Sequence, residues 1–164
     1  MSSFKFNLAD YNAGRKYETL LLPYVIEAIG EVEMSPPQSR YDYYNPSLWA
    51  ELKTRTPKYG PEMSTWLFNS KKANGYVAGK KLYFFYYFIR DHSFWMIEYN
   101  PSKFENYEKW EMLDEDGQVQ INWSIPQKDW SRVTTEIPDG LVSNPSDRPS
   151  SDKRISRVLG TVVS

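Results

Sequence analysis

The chain reads as an α/β protein with a central mixed β-sheet flanked by helices. Three patterns predict this. Tyr17, Leu20, Leu21, Tyr24, Val25 and Ala28 recur at helical spacing. The segments that follow have strand length and alternate. The run 82–89 is apolar throughout, as in a strand covered on both faces at the centre of a sheet.

Residues 1–12 form a leading arm, and 13–29 a first helix. Pro23 should kink or split that helix, and Gly30 should end it. A short strand at 31–34 precedes the breaker Pro36-Pro37. A second strand at 40–44, a turn at Asn45-Pro46-Ser47 and a third strand at 48–54 follow. Gly60-Pro61-Glu62 has the signature of a helix start, so a second helix is expected to end near Gly79. Trp66, Ser70, Ala73 and Val77 would form its inward face. Past the run 82–89, a turn at 90–93 leads to an antiparallel strand at 94–99. A short helix at 102–110, a turn at Asp116-Gly117 and a strand at 118–125 complete the pattern. Residues 1–140 are taken as one domain. Residues 141–164, rich in Ser, Pro and charge with an apolar end, are taken as a C-terminal extended tail docked on something such as a partner chain.

Composition narrows the chemistry. The chain has 164 residues and lacks cysteine, which excludes disulfides, thiolate metal sites and a cysteine nucleophile. Its single histidine, His92, lies in a turn and cannot build a multi-histidine centre. The leading segment lacks the apolar stretch of a signal peptide, and no run approaches the ~20 apolar residues that span a bilayer, so an intracellular protein with no membrane contact is expected. The net charge is −1, but it is unevenly spread. Between Lys53 and Lys81 there are seven basic residues and one acid; between Glu98 and Asp116 there are seven acids and two lysines. A basic face of that kind suits phosphate.

The segment that carries chemistry is Asp42-Tyr-Tyr-Asn-Pro-Ser-Leu-Trp-Ala-Glu51-Leu-Lys53. Side chains alternate along a strand, so Glu51 and Lys53 share one face. A turn at Asn45-Pro46 brings Asp42 back toward Glu51. Two carboxylates can hold Mg²⁺, and an ammonium beside them can neutralise phosphate charge or orient water. Arg55, Lys58, Lys71 and Lys72 are candidate contacts to flanking phosphates. Tyr41, Tyr43, Tyr44 and Trp49 surround the motif, either as packing or as stacking platforms for bases. By itself Glu-Leu-Lys is a weak signal, since solvated strand edges carry such triplets.

The order of helix, hairpin with Asp and Glu-x-Lys, helix and further strands resembles the core of the PD-(D/E)XK nuclease superfamily, the restriction-endonuclease-like fold. The resemblance spans residues 13–99. It implies that Asp42 and Glu51 are metal ligands, with the backbone carbonyl of Leu52 as a third. It implies that Lys53 activates or orients the attacking water and that Glu18 on the first helix adds a carboxylate. The family's proline before the aspartate is replaced by Tyr41. The implied activity is Mg²⁺-dependent DNA cleavage, with Mn²⁺ as a substitute, by a homodimer or within a larger assembly. Two other functions fit the same residues. One is a catalytically inactive nuclease-like binding or scaffold module, favoured if either carboxylate is turned away or paired with an arginine. The other is a metal-free nucleic-acid-binding domain with a continuous basic face.

Overall fold

A computed structural model describes residues 8–114, 116–133 and 156–163. The chain folds into three layers: a helix, a mixed sheet and a smaller antiparallel sheet. Helix α1 (Leu8–Ile29) buries Tyr17, Leu21 and Val25, one turn apart, against the mixed sheet. Gly30, at φ +93°, ends it in the left-handed conformation that a residue with a Cβ resists. Pro23 does not split α1. It sits on the exposed side of one continuous helix, so its ring projects away from the packed face.

The mixed sheet has the order β1 (Glu33–Met34), β2 (Tyr43–Asn45), β3 (Leu48–Arg55), β5 (Lys81–Phe88), β6 (Ser93–Glu98), β9 (Ser131–Arg132). Strands β1, β2 and β3 form an antiparallel meander, β5 lies parallel to β3, and β6 runs antiparallel to β5. The run expected at the centre is there. Phe85 and Tyr87 pack toward α1, while Leu82, Phe84, Tyr86 and Phe88 pack toward the other layer.

The second helix expected over 60–79 is not formed. That stretch holds β4 (Thr65–Asn69) and a 3₁₀ turn, Ser70–Ala73. Trp66 and Phe68, two residues apart, are both buried, whereas Val77 is 56% exposed and faces no core. A period of two places both rings on one strand face, and that burial outweighs the proline-acid helix start. Strand β4 joins β7 (Glu108–Leu113), β8 (Val119–Pro126) and β10 (Ser156–Val163) in the order β10-β7-β8-β4. This sheet covers the face of the mixed sheet where a helix was expected. The short helix expected at 102–110 is one turn, α2 (Pro101–Phe104), before β7 begins. Of the expected tail 141–164, 156–163 pairs with β7; 141–155 and 164, like 134–140 before it, lie outside the described residues. No helix among the described residues is long and apolar enough to cross a membrane.

Candidate active site

The hairpin places Asp42 opposite Glu51. The ladder pairs Tyr43 with Ala50 and Asn45 with Leu48, and the turn is held by the Asn45 side chain, which accepts from the N–H groups of Ser47 and Leu48. Asp42 sits one residue before β2 starts. Its N–H donates to the Ala50 carbonyl at 3.0 Å, and its own carbonyl accepts from Ser35. The Asp42 Oδ2 accepts from the Leu52 N–H at 2.8 Å. A carboxylate thus takes the place of a ladder carbonyl and is pinned to β3.

Glu18 approaches from α1. Tyr43, fully buried, fixes that turn of the helix by donating its hydroxyl to the Glu18 carbonyl at 2.8 Å. Burial and then the charges of Asp42, Glu18 and Glu51 raise the Tyr43 phenol well above its ordinary range. Tyr43 is therefore a core post, not a platform for a base. The Glu18 carboxyl is hydrogen-bonded to Asp42 and, at 2.9 Å, to Arg15. Burial, then the charge of Asp42, pushes its pKa up to about 8, against the opposing pull of Arg15.

Glu51 is 8% exposed and faces the second layer. Burial and then Asp42 raise its pKa well above the carboxylate range, because two like charges in a dry site resist joint ionisation. Lys72 opposes that shift by placing Nζ 2.7 Å from Glu51 Oε2. The other oxygen, Oε1, is buried and has no hydrogen-bond partner among the described residues. Burial lowers the Lys72 pKa, but Glu51 and Asp42 more than offset this and leave it raised. Lys72 comes from the 3₁₀ turn, where Tyr41 anchors it by donating its hydroxyl to the Lys72 carbonyl at 2.5 Å.

Lys53 follows two residues after Glu51 on the same strand and is half-buried, level with Tyr86 on β5. Of the other expected phosphate contacts, Arg55 continues the same strand face. Arg55 donates to the Tyr86 hydroxyl at 3.1 Å and lies 4.1 Å over the Tyr59 ring. Lys58 is exposed beside Tyr59, and Lys71 is exposed on the 3₁₀ turn. Lys72, expected to face phosphate, instead holds Glu51. Sequence reading missed Arg15, although its spacing of three from Glu18 on a helix is an ion-pair signal. His92 is a turn residue at φ +58°, with its Nδ1 2.8 Å from the Tyr87 hydroxyl.

Asp42 thus links Glu18 on the helix side of the sheet to Glu51 on the other side. Among the described residues, no group of three or more His, Cys, Asp and Glu side chains could hold a metal by itself. No family model matches the chain, and no curated protein is significantly similar to it.

Proposed function

We propose that this chain is a Mg²⁺-dependent nuclease that hydrolyses DNA phosphodiester bonds, built on a restriction-endonuclease-like core. The observation that carries this is Glu51: a buried carboxylate opposite Asp42, with one oxygen that no described residue partners and a pKa raised by burial and then by the charge of Asp42, against the pull of Lys72. Such a pair is costly unless a proton or cation relieves it. The order β1-β2-β3-β5, with β5 parallel to β3 after a meander, supports this reading, although β4 and a 3₁₀ turn stand where the resemblance implied a second helix.

The donor set fits the ion. Mg²⁺ prefers oxygen ligands, keeps several waters and commonly takes only one or two carboxylates together with substrate phosphate. Asp42 and Glu51 would hold it. Leu52 would add its carbonyl, since a strand residue projects its N–H and C=O to the same side and the Leu52 N–H already meets Asp42. When bound, Mg²⁺ supplies charge to phosphate oxygens and acidifies water. Lys53 stabilises charge that develops on the phosphate from the face it shares with Glu51. Glu18, with its raised pKa, holds or releases a proton at the rim. Arg55, Lys58 and Lys71 steer the backbone of the strand. The protein acts inside the cell, alone, as a homodimer or within a larger assembly.

A second reading draws on the Lys72–Glu51 pair. An ammonium already seated on Glu51 suits a catalytically inactive, nuclease-like binding module. Cleavage of supercoiled, linear, single-stranded and flap DNA with Mg²⁺ or Mn²⁺ separates the two. Cutting by the wild type that falls at least about 100-fold in both Lys53→Ala and Glu51→Gln supports the nuclease. Folded protein that cuts none of them overturns it in favour of the binding module.

A further inference from the structure

Beside the carboxylates lies an open cavity of about 460 Å³, lined by Tyr41, Tyr44, Trp49, Arg40, Ser35 and Gly75 among others. Its volume lies within the range of small-molecule sites. Three aromatic side chains and one arginine in its wall suit a flat, aromatic ligand that carries negative charge. The cavity joins the candidate active site by covalent and hydrogen-bonded links. Trp49 precedes Glu51 by two residues on β3, so the two side chains follow one another on one face about 7 Å apart. Tyr41 precedes Asp42 and holds the Lys72 carbonyl. Gly75 lets the loop after Lys72 close on this wall: a Cβ there would come 2.4 Å from Arg40 Cδ and 3.0 Å from the Tyr41 hydroxyl.

The rings are arranged for exchange. Tyr41 and Trp49 lie with centroids 5.3 Å apart, and the Lys80 ammonium stands 3.8 Å from the Trp49 centroid. A base stacked on the Trp49 ring would take the place of the Lys80 ammonium and leave that lysine to meet the adjoining phosphate.

We infer that this cavity takes an unpaired nucleobase next to the scissile phosphate, so that the favoured substrate carries a single-stranded segment. This rests on the nuclease reading and names its substrate class. The test is the binding of fluorescently labelled (dT)12 and of a blunt hairpin duplex, measured by anisotropy in EDTA so that cutting plays no part. Wild type should bind (dT)12 more tightly than the blunt hairpin. Trp49→Leu and Tyr44→Leu should each weaken (dT)12 binding about 5- to 100-fold while hairpin binding stays within about twofold. Circular dichroism identifies the folded variants, and either variant alone suffices. Equal affinity for the two DNAs, no (dT)12 binding, or affinity unmoved in a folded variant overturns the inference. Wild type that binds (dT)12 in this manner but never cuts with Mg²⁺ removes the nuclease reading and leaves the base pocket standing. Wild type that cuts blunt duplex, with binding indifferent to Trp49, does the reverse.

Discussion

One face of the mixed sheet carries two neighbourhoods built on opposite physics. Toward β6, Trp66 packs on Tyr86, Phe88, Trp95 and Trp130 with ring centroids 4.9–5.4 Å away. The carbon surface of every ring there gains by leaving water, and only the buried Trp130 Nε1 finds no partner among the described residues. Toward β2, Glu51 leaves water at a cost, meets the charge of Asp42 and keeps an oxygen that no described residue partners. Both neighbourhoods are buried, the aromatic one with rings from β4, β5 and β6, the acidic one with side chains from β3, the residue before β2 and the 3₁₀ turn. The aromatic one holds the layers together. The acidic one works against folding and is relieved in part by the Lys72 ammonium. The difference teaches that burial alone does not mark the structural part of this molecule. Burial against the electrostatic grain marks the part that has another use.

The comparison breaks first at Trp66. Trp66→Ala should cost about 3–5 kcal/mol, since a large ring is removed from a packed site that cannot collapse around it. Chemical denaturation should show the loss at an unchanged slope. A loss under about 1 kcal/mol would mean that the layers are held elsewhere. Glu51→Gln, by contrast, should leave stability equal or improved while removing cleavage.

A smaller effect is expected at Lys72. Lys72→Met leaves Glu51 without its cation and should destabilise the fold by about 1–2 kcal/mol, less than a fully buried pair because the lysine side chain is 36% exposed. Combining it with Glu51→Gln should restore most of that loss. Additive losses in the double variant would show that the two side chains do not work as a pair.

The gentlest probe is pH. Glu18 takes its proton at about 8 in the fold and near the ordinary 4.5 when unfolded, so the folded state binds more protons between those values. The stabilisation it gives is present below about 4.5 and is lost as pH rises through about 8. Asp42 and Arg15 are the charged groups that face it, and Glu51 shifts in the same direction. In EDTA the melting temperature should fall as pH rises from 5 to 8. Glu18→Gln should flatten that slope and gain roughly 2–4 °C at pH 8 for each kcal/mol recovered. A melting temperature that rises over this window would exclude a raised pKa.

Several features were legible in the chain before any coordinates. The Asn45-Pro46-Ser47 turn sets the register that puts Asp42 opposite Glu51. The apolar run marks the central strand, and the stripe from Tyr17 to Val25 marks the packed face of α1. The segment 60–79 was misread because a proline and an acid after a glycine start helices locally, while the pairing of Trp66 with Ile125 and Phe68 with Trp123 is remote in sequence. Lys72 was misread for the same reason. Nothing near it in the chain announces Glu51 as its partner.

What the sequence by itself determined is short-range: strand alternation puts Glu51 and Lys53 on one face, a turn returns Asp42 to them, and helical spacing sets the buried stripe of α1. These follow from periods of 2 and 3.6 and from turn stereochemistry, which act over a few residues. What only the tertiary structure decided is long-range. A second sheet, not a helix, covers the far face. Lys72 reaches Glu51 across the crossover, and Tyr41, Tyr44 and Trp49 close around a cavity. Those depend on which surfaces meet, and burial energies and charge interactions across the packed layers settle that where local preference does not.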